Sequence, residues 1–313
     1  MALDAASQAF MEQAAAAGGK PLQDCSPEEA RATGAAMVAM FGEGPAMADV
    51  GDRELVGKDG EKFSVRILRP TPRPTGIIVY YHGGGWVTGD IDMFDTLGRQ
   101  LAERTNCAVV LVNYRKAPEN PYPVPVEDAW TALQWADEHK AELAAADVAL
   151  IVAGDSAGGN LAAVMALRAR DHQGPDLAAQ VLACPVTDHD FTRASYLSGT
   201  AQQILTSEGM VWFFDHYVPD SFRHMQEVSP MRAASLADLP PTIIFTAVHD
   251  PLHDEGVAYA DALQAAGNDV IFKDFEDQMH DFWMMVGVLP AAADALTFVV
   301  DSLESHLATP AQR

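Results

Sequence analysis

Six short apolar runs constrain this chain more than any other feature: GIIVYYH (76–82), CAVVLVNY (107–114), DVALIVAG (147–154), AAQVLAC (178–184), TIIFTAV (242–248) and DVIFKDF (269–275). Apart from DVIFKDF, which carries Asp269, Lys273 and Asp274, each is apolar almost without a break, which is the pattern of a strand covered on both faces rather than one. Between most of them lie segments with helical spacing, such as VEDAWTALQWADEHKAELA and GGNLAAVMALRARDH. Strands alternating with helices predict an α/β domain with a mostly parallel sheet. Upstream, DRELVGKDGEKFSVRILRP has period-two stretches around a KDG turn, which predicts a solvent-facing antiparallel hairpin. The sheet then has about eight strands.

Two regions break the rhythm. Residues 1–48 are rich in Ala and Met and read as helical, with Ser26 an N-cap and Pro27 at the first helical position. Residues 188–235 separate two strands by far more than a crossover needs, and they carry the aromatic stretch GMVWFFDHYVPD. Both are expected to cover the carboxyl ends of the strands, where open α/β sheets bind ligands. The expected division is a catalytic domain of 49–187 and 236–313, an N-terminal cap segment of 1–48 and a cap insertion of 188–235.

Composition excludes some partners. A net charge of −24 over 313 residues, with only six lysines, argues against nucleic acid or an anionic membrane surface. Cys25, Cys107 and Cys184 are odd in number and far apart, so neither a disulfide framework nor a zinc cluster is expected. The first twenty residues have no basic and apolar signal pattern, and no apolar stretch reaches the roughly 20 residues of a membrane span. A cytoplasmic protein is the expectation, with a homodimer allowed for.

GDSAG (154–158) places Ser156 between two glycines. Alone the pattern is weak, arising by chance in about one chain in ten of this length. Its context is stronger, because it follows a strand and opens a helix, as a nucleophile elbow must. A serine hydroxyl needs a base, and the base needs an acid to orient it. His280, in QMHDFW after the last strand run, is the expected base; Asp250, just past TIIFTAV, is the expected acid. His249 and His253 flank that acid and compete poorly as bases, while Asp254 and Glu255 are read as capping the next helix. TDHD (187–190) is read as a solvated loop rather than a metal site. The order Ser156, Asp250, His280 is that of an α/β-hydrolase. HGGGW (82–86) follows GIIVYY, and its glycines let backbone N–H groups approach a substrate oxygen closely. Gly83, Gly84, Gly85 and Ala157 are the expected oxyanion donors. His82 is expected to organise the loop by hydrogen bonding.

Taken together, HGGGW, YRKAPENPYPVPVEDAW (114–130), GDSAGGN (154–160), DPLHDEG (250–256) and the His280-x-Phe282 pair make the chain similar to the bacterial hormone-sensitive-lipase-like esterases of the α/β-hydrolase superfamily. The resemblance implies a carboxylic ester hydrolase that uses no metal or cofactor, acts on a small-molecule ester and has a helical cap. It implies Ser156 as nucleophile, His280 as base and Asp250 as orienting acid. Trp86, Leu205, Trp212, Phe213 and Phe282 are the candidates for substrate contact. Short to medium acyl chains are expected, since no long mobile lid is evident, and activity is expected to fall below about pH 6 as a base near 6.5 protonates. Two residues depart from the family pattern: Lys116 replaces an aliphatic residue, and Asp281 stands where a glycine commonly follows the histidine. A carboxylate at 281 would raise the pKa of the base or crowd the site. The alternatives are another acyl hydrolase (lipase, lactonase or amidase) and a ligand receptor that has lost catalysis. A working histidine at 280 weighs against the receptor.

Overall fold

The computed structural model describes residues 2–199 and 204–308. One eight-stranded sheet runs through it in the order β1-β2-β4-β3-β5-β6-β7-β8. The strands are β1 Asp49–Val56, β2 Lys62–Arg69, β3 Gly76–Tyr81, β4 Cys107–Asn113, β5 Ala149–Asp155, β6 Ala179–Ala183, β7 Thr242–His249 and β8 Val270–Met279. All six apolar runs are strands; β2 is antiparallel to both β1 and β4, and every other pairing is parallel. The hairpin closes through Gly57, whose N–H donates to the Glu61 carbonyl at 2.8 Å. It is less solvent-facing than expected, because β2 also pairs with β4, and Val65 and Leu68 are fully buried.

Among the described residues ten α-helices surround the sheet: α1 Ala5–Ala17, α2 Pro27–Phe41, α3 Asp95–Thr105, α4 Val124–Glu138, α5 Lys140–Leu143, α6 Ala157–Asp171, α7 Ala194–Leu197, α8 Ser207–Tyr217, α9 His253–Ala265 and α10 Pro290–Ala308. Unbroken apolarity in β3 has the expected cause. Ile77, Val79 and Tyr81 pack in the layer of α4, α6 and α9, while Ile78 and Tyr80 pack in the layer of α3 and α10.

The N-terminal segment docks on the edge of this frame. The Asp4 side chain caps α1, and the Ser7 hydroxyl donates to Gln278 Oε1 at 3.0 Å beside the end of β8. Ser26 and Glu29 form a reciprocal capping box at the start of α2, with Pro27 at its first position. Arg31, on α2, donates to the carbonyls of Val87 and Ala117 at 2.8 and 2.7 Å and ties the helix to the loop after HGGG.

The insertion between β6 and β7 is held by buried polar groups. Asn160, in α6, donates to the carbonyls of Val186 and Val228, both at 2.9 Å. Two sequence readings fail here. TDHD is not a solvated loop: Thr187 and Asp188 are buried, and Asp188 pairs with Arg193 and Arg232. Asp254 and Glu255 do not cap α9. Asp254 accepts from the Ser195 N–H, and the buried Glu255 accepts from the N–H groups of Thr187 and Asp188 and from the Tyr196 hydroxyl.

Candidate active site

Three strand ends bring the expected residues together. Residue 156 follows β5, and its backbone turns sharply at φ 53°, ψ −120°, a conformation L-residues other than glycine rarely adopt. The turn is held from both sides, since the Ser156 N–H donates to Ala183 and its carbonyl accepts from Asn160 and Val186. The flanking glycines are sterically required. A Cβ on Gly154 would lie 2.3 Å from the Gly158 carbonyl oxygen, and one on Gly158 would lie 1.9 Å from that of Tyr81. At the other edge His249 of β7 pairs with Met279 of β8, so Asp250 and His280 are the next residues on adjacent strands.

The side chains form an unbroken line. His280 Nε2 is 3.0 Å from the Ser156 hydroxyl, and Nδ1 is 2.6 Å from Asp250 Oδ2. Asp250 can only accept, so Nδ1 carries the hydrogen and Nε2 is left to accept from the serine. Asp250 is itself fixed by the Leu252 N–H at 2.8 Å. Of the competing histidines, His253 is held elsewhere, between Asp254 and Asp274 at 3.1 and 3.0 Å.

The HGGG loop faces this line, and its carbonyls reveal where its N–H groups point. In a trans peptide the C=O and the following N–H are antiparallel. The Gly83 carbonyl accepts from His82 Nδ1 at 2.7 Å, and the Gly84 carbonyl accepts from the Thr88 N–H at 2.8 Å. The N–H groups of Gly84 and Gly85 therefore point the opposite way. Ala157 follows by the same argument, because the Ser156 carbonyl is bound to Asn160 and Val186. Gly83 leaves the expected donor set: its N–H donates to Asp155 Oδ1 at 3.1 Å. Gly84 and Gly85 sit at φ 102° and 57°, where a Cβ would strike Thr88 and the Phe213 ring respectively.

His82 is stacked 4.3 Å from Tyr114, and burial, with Lys116 nearby, pushes its pKa down to about 3. It is a neutral donor that fixes the loop, as expected. A chain of hydrogen bonds that the sequence did not suggest links the loops: Trp283 Nε1 donates to the Tyr80 hydroxyl at 2.9 Å, and Tyr80 donates to Asp155 Oδ1 at 2.7 Å. Burial pushes the Asp155 carboxyl up to about 7.

Ser156 and His280 open onto a cavity of about 210 Å³. Its described lining is largely apolar and includes Leu22, Ala30 and Met37 from the N-terminal segment, Met93 and Phe94, Leu205 and Phe213 from the insertion, and Met284 and Met285. Of the five candidates for substrate contact, Leu205 and Phe213 line it. Trp86, Trp212 and Phe282 do not: Trp86 stacks on Tyr217 at 4.2 Å, Trp212 packs against Phe213 and His216, and Phe282 lies in the core against Phe245 and Phe275. Asp281 lines the cavity at φ 64°, and its Oδ1 is 3.4 Å from His280 Nε2. Burial would lower the His280 pKa, but the charges of Asp250 and Asp281 outweigh it and bring it up to about 9. The only group of possible metal ligands among the described residues is Cys184, Asp250 and His280, whose donor atoms lie within 4.8 Å, and two of the three are already bonded to each other.

A serine on a strand-to-helix elbow, facing an imidazole and a carboxylate from later strand ends, defines an α/β-hydrolase. Comparison with known proteins narrows this. A family profile described as the α/β-hydrolase fold matches residues 78–284. A carboxylesterase of Mycobacterium tuberculosis, NlhH, is 42% identical over 251 residues, covering 78% of this chain and 79% of that protein. An ethyl acetate hydrolase of Pseudomonas putida is 35% identical over 267 residues, 82% of this chain and 83% of its own. A solved thermostable esterase of Pseudomonas putida superposes with a TM-score of 0.90 at 35% identity, covering 98% of each chain. The chain belongs to the hormone-sensitive-lipase-like family of α/β-hydrolases, and it is a carboxylic ester hydrolase. None of its described helices is long and apolar enough to cross a membrane.

Proposed function

We propose that the chain hydrolyses small carboxylic esters in two steps through an acyl-enzyme on Ser156. The carrying observation is the continuous contact from Asp250 through His280 to Ser156, with the Gly84, Gly85 and Ala157 N–H groups on the facing side. In the first step the Ser156 oxygen attacks the carbonyl carbon and gives its proton to His280 Nε2. The carbonyl oxygen takes the negative charge and lies against the three N–H groups. The imidazolium then protonates the alcohol oxygen, the C–O bond breaks and the alcohol leaves. Water repeats the sequence on the acyl-enzyme, with His280 as base and Ser156 as leaving group. Asp250 keeps the imidazole in the useful tautomer and offsets its charge.

A cavity of about 210 Å³ favours short to medium acyl groups. Residues 1–48 and 188–235 act in this reading as the cap, since both contribute to the lining, and 49–187 with 236–313 form the catalytic domain. The expected cytoplasmic location and the homodimer belong to the proposal as well; cell fractionation and light scattering test them.

A series of p-nitrophenyl esters from acetate to palmitate, beside an anilide analogue, tests the substrate class. We expect turnover to peak at four to eight carbons by about tenfold over palmitate and to be negligible on the anilide. Ser156→Ala and His280→Ala, folded by circular dichroism, should each lower kcat about 10⁶-fold. A folded Ser156→Ala variant keeping a tenth of the wild-type rate would rule out the acyl-enzyme.

A further inference from the structure

Asp281 is a carboxylate in an apolar cavity. It is the one acidic residue among the described lining, and no lysine or arginine lines the cavity with it. Its only ion-pair partner among the described residues is His280, which is neutral when the enzyme is ready to react. The side chain is 32% exposed, against 4% for His280, so it faces the space a substrate would fill.

Its placement is built rather than incidental. The backbone at 281 is left-handed, where glycine carries no penalty and aspartate is tolerated but not preferred. The following residues hold that conformation. Phe282 and Trp283 are buried, Trp283 is bonded to Tyr80, and the Asp281 carbonyl accepts from the Met284 N–H at 3.2 Å. The carboxylate is therefore presented to the cavity from a fixed loop.

Position relative to the chemistry determines what it meets. During breakdown of the tetrahedral state His280 Nε2 must hydrogen-bond the leaving oxygen. Asp281 Oδ1 lies 3.4 Å from that same nitrogen, so it stands beside the alcohol portion of the ester. A cation two or three bonds beyond the ester oxygen comes within ion-pair distance of it. The net charge of −24 also draws cations toward the molecule.

We propose that Asp281 is a specificity residue, which selects esters whose alcohol portion carries a positive charge close to the scissile bond. This rests on the esterase reading above and adds a substrate class to it. The probes are acetylthiocholine and its uncharged isostere 3,3-dimethylbutyl thioacetate, assayed at one pH on wild type, Asp281→Asn and Asp281→Gly. Taking the ratio of kcat/KM for the two probes cancels any change in the base common to both. We expect the wild type to favour the cation by about tenfold, the scale of a partly exposed charge pair, and both variants to bring the ratio near unity. Asp281→Gly relieves the left-handed backbone, so it guards against misfolding as the cause. A wild-type ratio near one, or a ratio that survives both substitutions, overturns the proposal while leaving the esterase intact. If wild type hydrolyses neither probe nor any p-nitrophenyl ester, both readings fall.

Discussion

One acidic side chain changes what pH the enzyme should prefer. Ser156 can transfer its proton only to a neutral His280, so kcat/KM must rise as pH rises through the pKa of that histidine. The groups facing it are Asp250 at the end of β7, Asp281 beside it, Asp155 at the end of β5 and the Cys184 thiol after β6. Three of the four are acids. Burial works against protonation, yet Asp250 and Asp281 prevail and hold His280 at about 9. That places the acid limb above the one expected from the ordinary value near 6.5. We predict that kcat/KM for a neutral ester climbs through pH 8, and that Asp281→Asn moves the acid limb down by about one pH unit. An unmoved limb in the variant would mean that the reacting imidazole does not feel residue 281. The three residues of the line were legible in the sequence, because each must follow a strand run and only a few polar residues do. The loss of Gly83 from the oxyanion donors was not. It depends on Asp155 turning back across the elbow, a contact between residues 72 positions apart.

Elements carried most of the sequence signal where they are buried on both sides. β3 was readable because each face meets helices, so polar residues are excluded from every position rather than alternate ones. The readings failed where polar residues are buried by partners from distant segments. Glu255 looks like a helix-start acid in a list of residues, but its carboxylate is spent on the Thr187 and Asp188 N–H groups. Similarly, Asp188 is read as solvated until Arg193 and Arg232 close on it. Contact between α6 and β3 gives the sharpest test at this scale. Gly158 sits at the start of α6 with the Tyr81 carbonyl where a Cβ would be, at 1.9 Å, and backbone cannot yield as a flexible side chain can. Gly158→Ala should therefore cost about 3 kcal/mol or more in urea unfolding and abolish esterase activity in whatever folded fraction remains. Wild-type stability in that variant would show that the helix and strand are not packed this closely.

Across the whole molecule, stability and activity ask for opposite pH. Burial raises Asp155 to about 7 and Glu255 to about 8. His253 is raised to about 9, by its bond to Asp274 against burial, and His280 to a similar value. A group whose folded pKa is raised binds its proton more tightly in the folded state. Its contribution is complete below the unfolded pKa and is lost as pH rises through the folded one. For the two acids the loss runs from about pH 4 to 8, and for the two histidines from about pH 6.5 to 9. Other groups work in the reverse sense. Glu119, held near 2 by Arg31, and Asp188, held low by Arg193 and Arg232 against burial, lose their contribution as pH falls below about 4. The buried neutral His82, lowered to about 3, loses its own between about pH 6.5 and 3. Between about pH 4.5 and 6.5 the two raised acids outweigh His82, so these opposing slopes place the maximum near pH 4.5, with a decline toward pH 9 that the repulsion among 44 acidic residues deepens. Thermal unfolding by circular dichroism from about pH 3.5 to 9 should therefore give the highest Tm near pH 4.5 and a falling Tm from there to pH 9. Salt should raise Tm more at pH 8.5 than at pH 5.5, because screening acts on the excess negative charge. Glu255→Gln, which keeps the acceptor oxygen without the charge, should flatten the alkaline decline. A Tm that holds or rises from pH 6 to 9 would contradict this assignment of the buried acids. If it falls while kcat/KM is still climbing, the working range of the enzyme is set by the folded state failing rather than by its base.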